Sequence, residues 1–111
     1  MIVTVFRSRV MPNVQDEYGP MSKRMNELAA TMPGYIAHKG FVAEDGERVT
    51  IVEFESDEAQ AAWRKNAEHV EAQRLARTKF YAAYDIKVCR LLHHAKFERD
   101  AKPAPADRRP T

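Results

Sequence analysis

With 111 residues, 44% of them hydrophobic and 31% charged, the chain has the length and balance of one small globular domain. Its net charge of +2 arises within residues 96–111, where five basic residues meet three acidic ones, so that residues 1–95 are neutral; a neutral domain lacks the basic face that a nucleic-acid partner needs. No apolar run approaches the ~20 residues that span a bilayer, so neither nucleic acid nor membrane is an expected partner.

Ile2-Val3-Thr4-Val5-Phe6 is β-branched and aromatic and reads as a strand, apolar on both faces. Both of its faces must therefore be covered. Met1–Val10 is too short and too polar at Arg7-Ser8-Arg9 for a signal peptide, which makes the cytoplasm the expected location. From Pro12-Asn13 onward, Val14, Tyr18, Met21, Met25, Leu28 and Met32 recur at helical spacing. Gly19-Pro20 predicts a kink or a fresh start in this helix, and Met32-Pro33-Gly34 ends it.

Tyr35–Ala43 and Arg48–Glu55 are predicted strands, and the Asp45-Gly46 pair between them is a strong hairpin signal. Ser56 or Asp57 caps a second helix that carries Ala59, Ala62, Trp63 and Asn66 and continues through Val70, Gln73, Arg74 and Arg77. Tyr81–Leu92 returns to strand character, with Tyr84, Ile86 and Val88 on one face and Tyr81 on the other. Cys89, the sole cysteine, can form neither an internal disulfide nor a thiol metal site, and reads as a small buried hydrophobe. Residues 96–111 are proline-rich and predict a solvated tail, or an arm laid on a partner subunit.

The order β-α-β-β-α-β predicts a ferredoxin-like α+β fold over residues 1–95, with both helices on one face of a four-stranded antiparallel sheet. The other face, including Val3 and Val5, would be bare in a monomer. A homodimer joined through these sheet faces removes the bare surface.

Trp63 is either a core plug or the wall of a pocket for a flat aromatic ligand, and Phe54 is a second candidate wall. His69 follows six residues later; in an unbroken helix the two point roughly 240° apart, and they share a cavity only if the helix breaks near Asn66-Ala67. There His69 is a candidate base or donor, against the alternative of a surface or capping histidine. Asn66 is a candidate contact at that break. His38 faces the helix-covered cavity or the partner, and Tyr81 has a hydroxyl to turn into the cavity mouth. Arg77, like Arg74, belongs either to a charged helix edge or to the grip on an anionic substrate group. His93 and His94 are adjacent, so their side chains diverge, and no histidine pair has the spacing of a helical metal site. No phosphate loop or nucleophile elbow is present, and no cofactor is expected.

In several segments the chain resembles the antibiotic biosynthesis monooxygenase family. These are Met32-Pro33-Gly34-Tyr35, Glu44 to Val49, Val52 to Ser56, Ala62-Trp63-Arg64, Glu68 to Gln73, Phe80-Tyr81 and Tyr84 to Cys89. The resemblance covers about Met1 to Phe97 and implies a dimeric α+β barrel with a cavity between helices and sheet in each subunit. It implies oxygenation of phenols, quinols or anthrones without a cofactor. Trp63 matches the pocket tryptophan of the anthrone enzymes. His69 stands where they have a tyrosine, and Ala59 where they have an asparagine. Haem-degrading relatives carry a histidine where this chain has Gln73 and an asparagine where it has Arg7 or Ser8, so haem degradation is not implied. Three functions follow for testing: an oxygenase using His69 and Tyr81, a non-catalytic ligand-binding or stress-associated module, and a structural dimer with a filled interior.

Overall fold

The computed structural model describes residues 1–99. In chain order the elements are β1 (Ile2–Val10), α1 (Gln15–Ala30), β2 (Tyr35–Val42), β3 (Arg48–Phe54), α2 (Asp57–Lys65), α3 (Ala67–Lys79) and β4 (Tyr81–Arg90). The strands form one antiparallel sheet in the order β2-β3-β1-β4, the predicted ferredoxin-like arrangement. Strand alternation sorts the residues. Thr4 lies opposite Val52 and Val88, and Phe6 opposite Thr50 and Ile86, on the face that the helices cover. The expected tail lies outside the described residues from position 100 onward, and residues 96–99 have no regular structure.

The Asp-Gly hairpin closes as expected. Gly46 takes φ +90°, which a glycine adopts at little steric cost, and Ala43 N–H donates to Glu47 O at 2.8 Å. Gly34 has φ +83°, and an added Cβ would meet Ala59 Cβ at 2.5 Å. This close approach seats the start of α2 against the start of β2 and so sets the position of Trp63 one turn further on.

Three expectations are corrected. First, α1 makes no fresh start at Pro20 but continues through it. The proline removes only the backbone bond to Asp16, and the stripe through Tyr18, Met21 and Met25 still packs inward. Second, Cys89 is exposed, because it lies on edge strand β4 opposite Val3, on the face away from the helices. Third, that outer face is not uniformly apolar. Val3, Val5, Val49 and Ile51 form a half-buried centre, whereas ion pairs Arg7–Glu47 (3.0 Å) and Arg9–Asp45 (2.8 Å) cross one end of it.

Two hydrophobic clusters fill the space between helices and sheet. Tyr18, Ala76 and Phe80 form one, against Val10 and Val14. Ala29, Phe54 and Trp63 form the other, at the opposite end of β1. The middle of the sheet, around Thr4 and Phe6, lies between them and is not filled.

Candidate active site

That unfilled space is a cavity of about 190 Å³, lined by α1, α2 and α3 above and by all four strands below. An engineered apolar cavity of about 150 Å³ holds benzene, so this one is large enough to take an aromatic ring system between its walls. Phe54, fully buried, and Trp63, 8% exposed, wall one end.

The expected helix break is present. Asn66 leaves the helical region at ψ 129°. Its side-chain oxygen accepts from the backbone N–H groups of Glu68 (3.0 Å) and His69 (3.2 Å), so that it caps the new helix α3. Asn66 itself is a cap and is not among the residues lining the cavity. Its effect is on His69. The break brings the imidazole onto the Trp63 indole, centroid to centroid at 3.9 Å with 12° between planes.

The His69 ring is held at a second point, where Nδ1 lies 3.1 Å from the Trp63 carbonyl oxygen. A carbonyl only accepts, so Nδ1 carries the proton and Nε2, on the other edge of the ring, keeps a free lone pair. Burial pushes the imidazole below its ordinary value of 6.5, and the bond to the Trp63 carbonyl offsets this in part. His69 is therefore neutral at pH 7 and lines the cavity as an acceptor.

Tyr81 and Tyr84 were expected on opposite faces. They share one face, with ring centroids 5.7 Å apart, and both line the cavity. The cause is a bulge in the β1–β4 ladder. Arg9 pairs with Ala83 and Val10 with Tyr81, which places one extra residue in β4 and reverses the alternation. Tyr84 is also not core. At 42% exposed, with Ile86 and Val88 similar, it forms an open flank along the edge strand. The Tyr81 hydroxyl lies 3.4 Å from that of Tyr18. Burial, with the Tyr18 contact adding to it, holds the Tyr81 phenol far above its ordinary range, so it stays protonated.

His38 resolves to the helix side. It lines the cavity, and its Nδ1 bonds the Tyr35 hydroxyl at 2.5 Å. Arg77 lines the cavity from α3. Arg74 turns away, into an ion pair with Glu71.

Several lining residues are not singled out by the sequence, and three of them stand out. Gln60, 6% exposed, sits one turn before Trp63 and accepts from Arg64 Nη1 at 2.8 Å. Gln73 sits one turn after His69. Helical spacing from Trp63 and His69 would have found both. Thr4 carries the third signal: its hydroxyl is buried without a hydrogen-bond partner. A buried unpaired hydroxyl costs about 1–3 kcal/mol, a cost that a ligand oxygen would relieve.

The family profile described as antibiotic biosynthesis monooxygenase matches residues 1–75. The Bacillus subtilis (strain 168) protein YqjZ, itself uncharacterized, is 29% identical over 83 residues, covering 75% of this chain and 73% of YqjZ. Among solved structures, the Rv0793 protein of Mycobacterium tuberculosis superposes with a TM-score of 0.75 at 14% identity, covering 86% of this chain and 98% of that one. A variant of SnoaB, a cofactor-independent oxygenase from Streptomyces nogalater, superposes with a TM-score of 0.72 at 15% identity, covering 84% of this chain and 94% of that one. At these identities the structural likenesses speak for the fold alone.

Proposed function

Because this chain belongs to the antibiotic biosynthesis monooxygenase family, we propose that it is a cofactor-independent oxygenase of phenol, quinol or anthrone-type aromatics. The observation that carries this reading is the stacked, neutral His69 in an apolar cavity walled by Trp63 and Phe54.

An electron-rich aromatic enters with its ring against the apolar walls. His69 Nε2 takes the acidic hydrogen of the substrate as a proton, and the resulting anion gives one electron to O2. Recombination forms the C–O bond of a peroxide anion, which recovers the proton from His69. Where the oxidised carbon began as a CH2, the hydroperoxide then loses water. One oxygen atom stays as the new carbonyl and the other leaves with the two substrate hydrogens. Tyr81, a phenol kept neutral by burial, donates a hydrogen bond toward the developing negative charge. Trp63, Phe54 and His38 act as walls, and water exclusion from the narrow cavity protects the anion.

The active unit in this reading is a cytoplasmic homodimer. The half-buried centre of Val3, Val5, Val49 and Ile51 is the surface that supports pairing, with no nucleic acid or membrane partner. Among the described residues no helix is long and apolar enough to cross a membrane.

Oxygen uptake with a panel of hydroquinones, naphthols and anthrones tests the reaction. Turnover of at least one class is expected, with one labelled atom from ¹⁸O2 retained in the product. No oxygen uptake across the panel, with the ligands nonetheless bound, would leave the non-catalytic binding module as the correct reading.

A further inference from the structure

We propose that the substrate carries an acid group, a carboxylate on a one- or two-ring phenol, and that Arg77 holds this group at the edge of the cavity. The inference rests on the oxygenase reading for the role of His69; the anion site itself rests on the surroundings of Arg77.

Arg77 lines the cavity, and among the described residues it has no hydrogen-bond, ion-pair or ring partner. Other arginines differ. Arg7, Arg9, Arg24, Arg74 and Arg90 each engage a carboxylate. Arg64, also on the lining, is tied to Gln60. Both carboxylates of α3 are already engaged, Glu71 by Arg74 and Glu68 by Arg24, and Glu17 of α1 is engaged by Lys79. No acidic side chain lines the cavity to compete for Arg77. A guanidinium with its donors free, at the rim of an apolar cavity, selects a planar anion that it can grip with two parallel N–H bonds.

The spacing gives the orientation. His69, Gln73 and Arg77 recur every four residues on α3, and all three line the cavity. They form one polar stripe along the helix, in which His69 and Arg77 stand about 12 Å apart along the axis. An acid group on Arg77 thus directs the far end of a short aromatic toward His69, with the Gln73 amide between them. The volume of about 190 Å³, above the roughly 150 Å³ that holds benzene, accommodates the ring of such an acid.

Trp63, the sole tryptophan, lies in the cavity and reports binding by its fluorescence. The full-length protein is titrated without oxygen with a hydroxynaphthoate, and separately with the naphthol that lacks the carboxylate. The acid is expected to bind roughly five- to tenfold more tightly, with an advantage that shrinks as salt is raised. Arg77→Gln should bring the acid down to the affinity of the naphthol and leave the naphthol unchanged. Arg77→Lys should restore part of the difference. Equal binding of acid and naphthol by the native protein, or an equal loss of both in Arg77→Gln, overturns the inference. Oxygen uptake is then read on the same pair. Selective binding of the acid without uptake sinks the oxygenase reading and leaves the anion site standing; uptake with no preference for the acid does the reverse.

Discussion

His69→Gln should lower kcat/KM for oxygen-dependent turnover about a hundredfold or more, the range for losing a positioned general base. Glutamine keeps an amide that can still donate to the Trp63 carbonyl, so the helix break and the packing persist while the proton acceptor is lost. The pH profile gives an independent check. Burial lowers the folded-state value of His69 below 6.5, so the native enzyme should hold its rate at neutral pH and lose it only below 6.5, as Nε2 takes a proton. The same shift acts on stability. Below 6.5 the unfolded chain binds a proton that the folded chain resists, so stability present above that pH is lost as pH falls toward the folded-state value. In His69→Gln this acid-side slope should flatten. A variant that retains native rates removes the base assigned here.

Phe54→Ala should cost about 3–5 kcal/mol of stability, the largest loss expected from a single truncation in this domain. Phe54 is the one large side chain among the described residues with no exposed surface. It packs with Ala29 and Trp63 and meets the edge of the Tyr35 ring, with centroids 6.1 Å apart. It also supports the indole on which His69 stacks. The same change should therefore loosen ligand binding in whatever fraction remains folded. Urea unfolding followed by tryptophan fluorescence measures the cost. Phe54→Leu, closer in volume, should cost less than about 1.5 kcal/mol. A loss below about 1 kcal/mol in Phe54→Ala would mean that the wall of the cavity is not built on this residue.

Much of this architecture was legible in the sequence because it depends on local signals. Alternating β-branched residues marked the strands, Asp45-Gly46 marked the hairpin, and Pro33-Gly34 marked the end of α1. The partners of the site were harder to read, because they depend on two irregularities. One is the break at Asn66, where a polar side chain supplies the capping bonds that a continuing helix would not need. Asparagine within a helical pattern signals such a cap, yet only the fold shows that the break stacks His69 on Trp63. The other is the bulge in β4, set by its ladder with β1, which turns Tyr81 and Tyr84 to one side. No residue type announces it. The exposure of Tyr84 and Cys89 was illegible for a related reason. Both lie on an edge strand, where an apolar pattern does not reveal that a neighbour is missing.

The proposed chemistry needs a neutral imidazole, fixed by the Trp63 carbonyl and free at Nε2. Nitrogen-detected NMR of the His69 ring across pH measures this directly. The expected result is the Nδ1-protonated tautomer, with titration below 6.5 and a response at Nε2 when an aromatic ligand binds. A ring protonated at Nε2 in the neutral form, or one that titrates at or above 6.5, would contradict it.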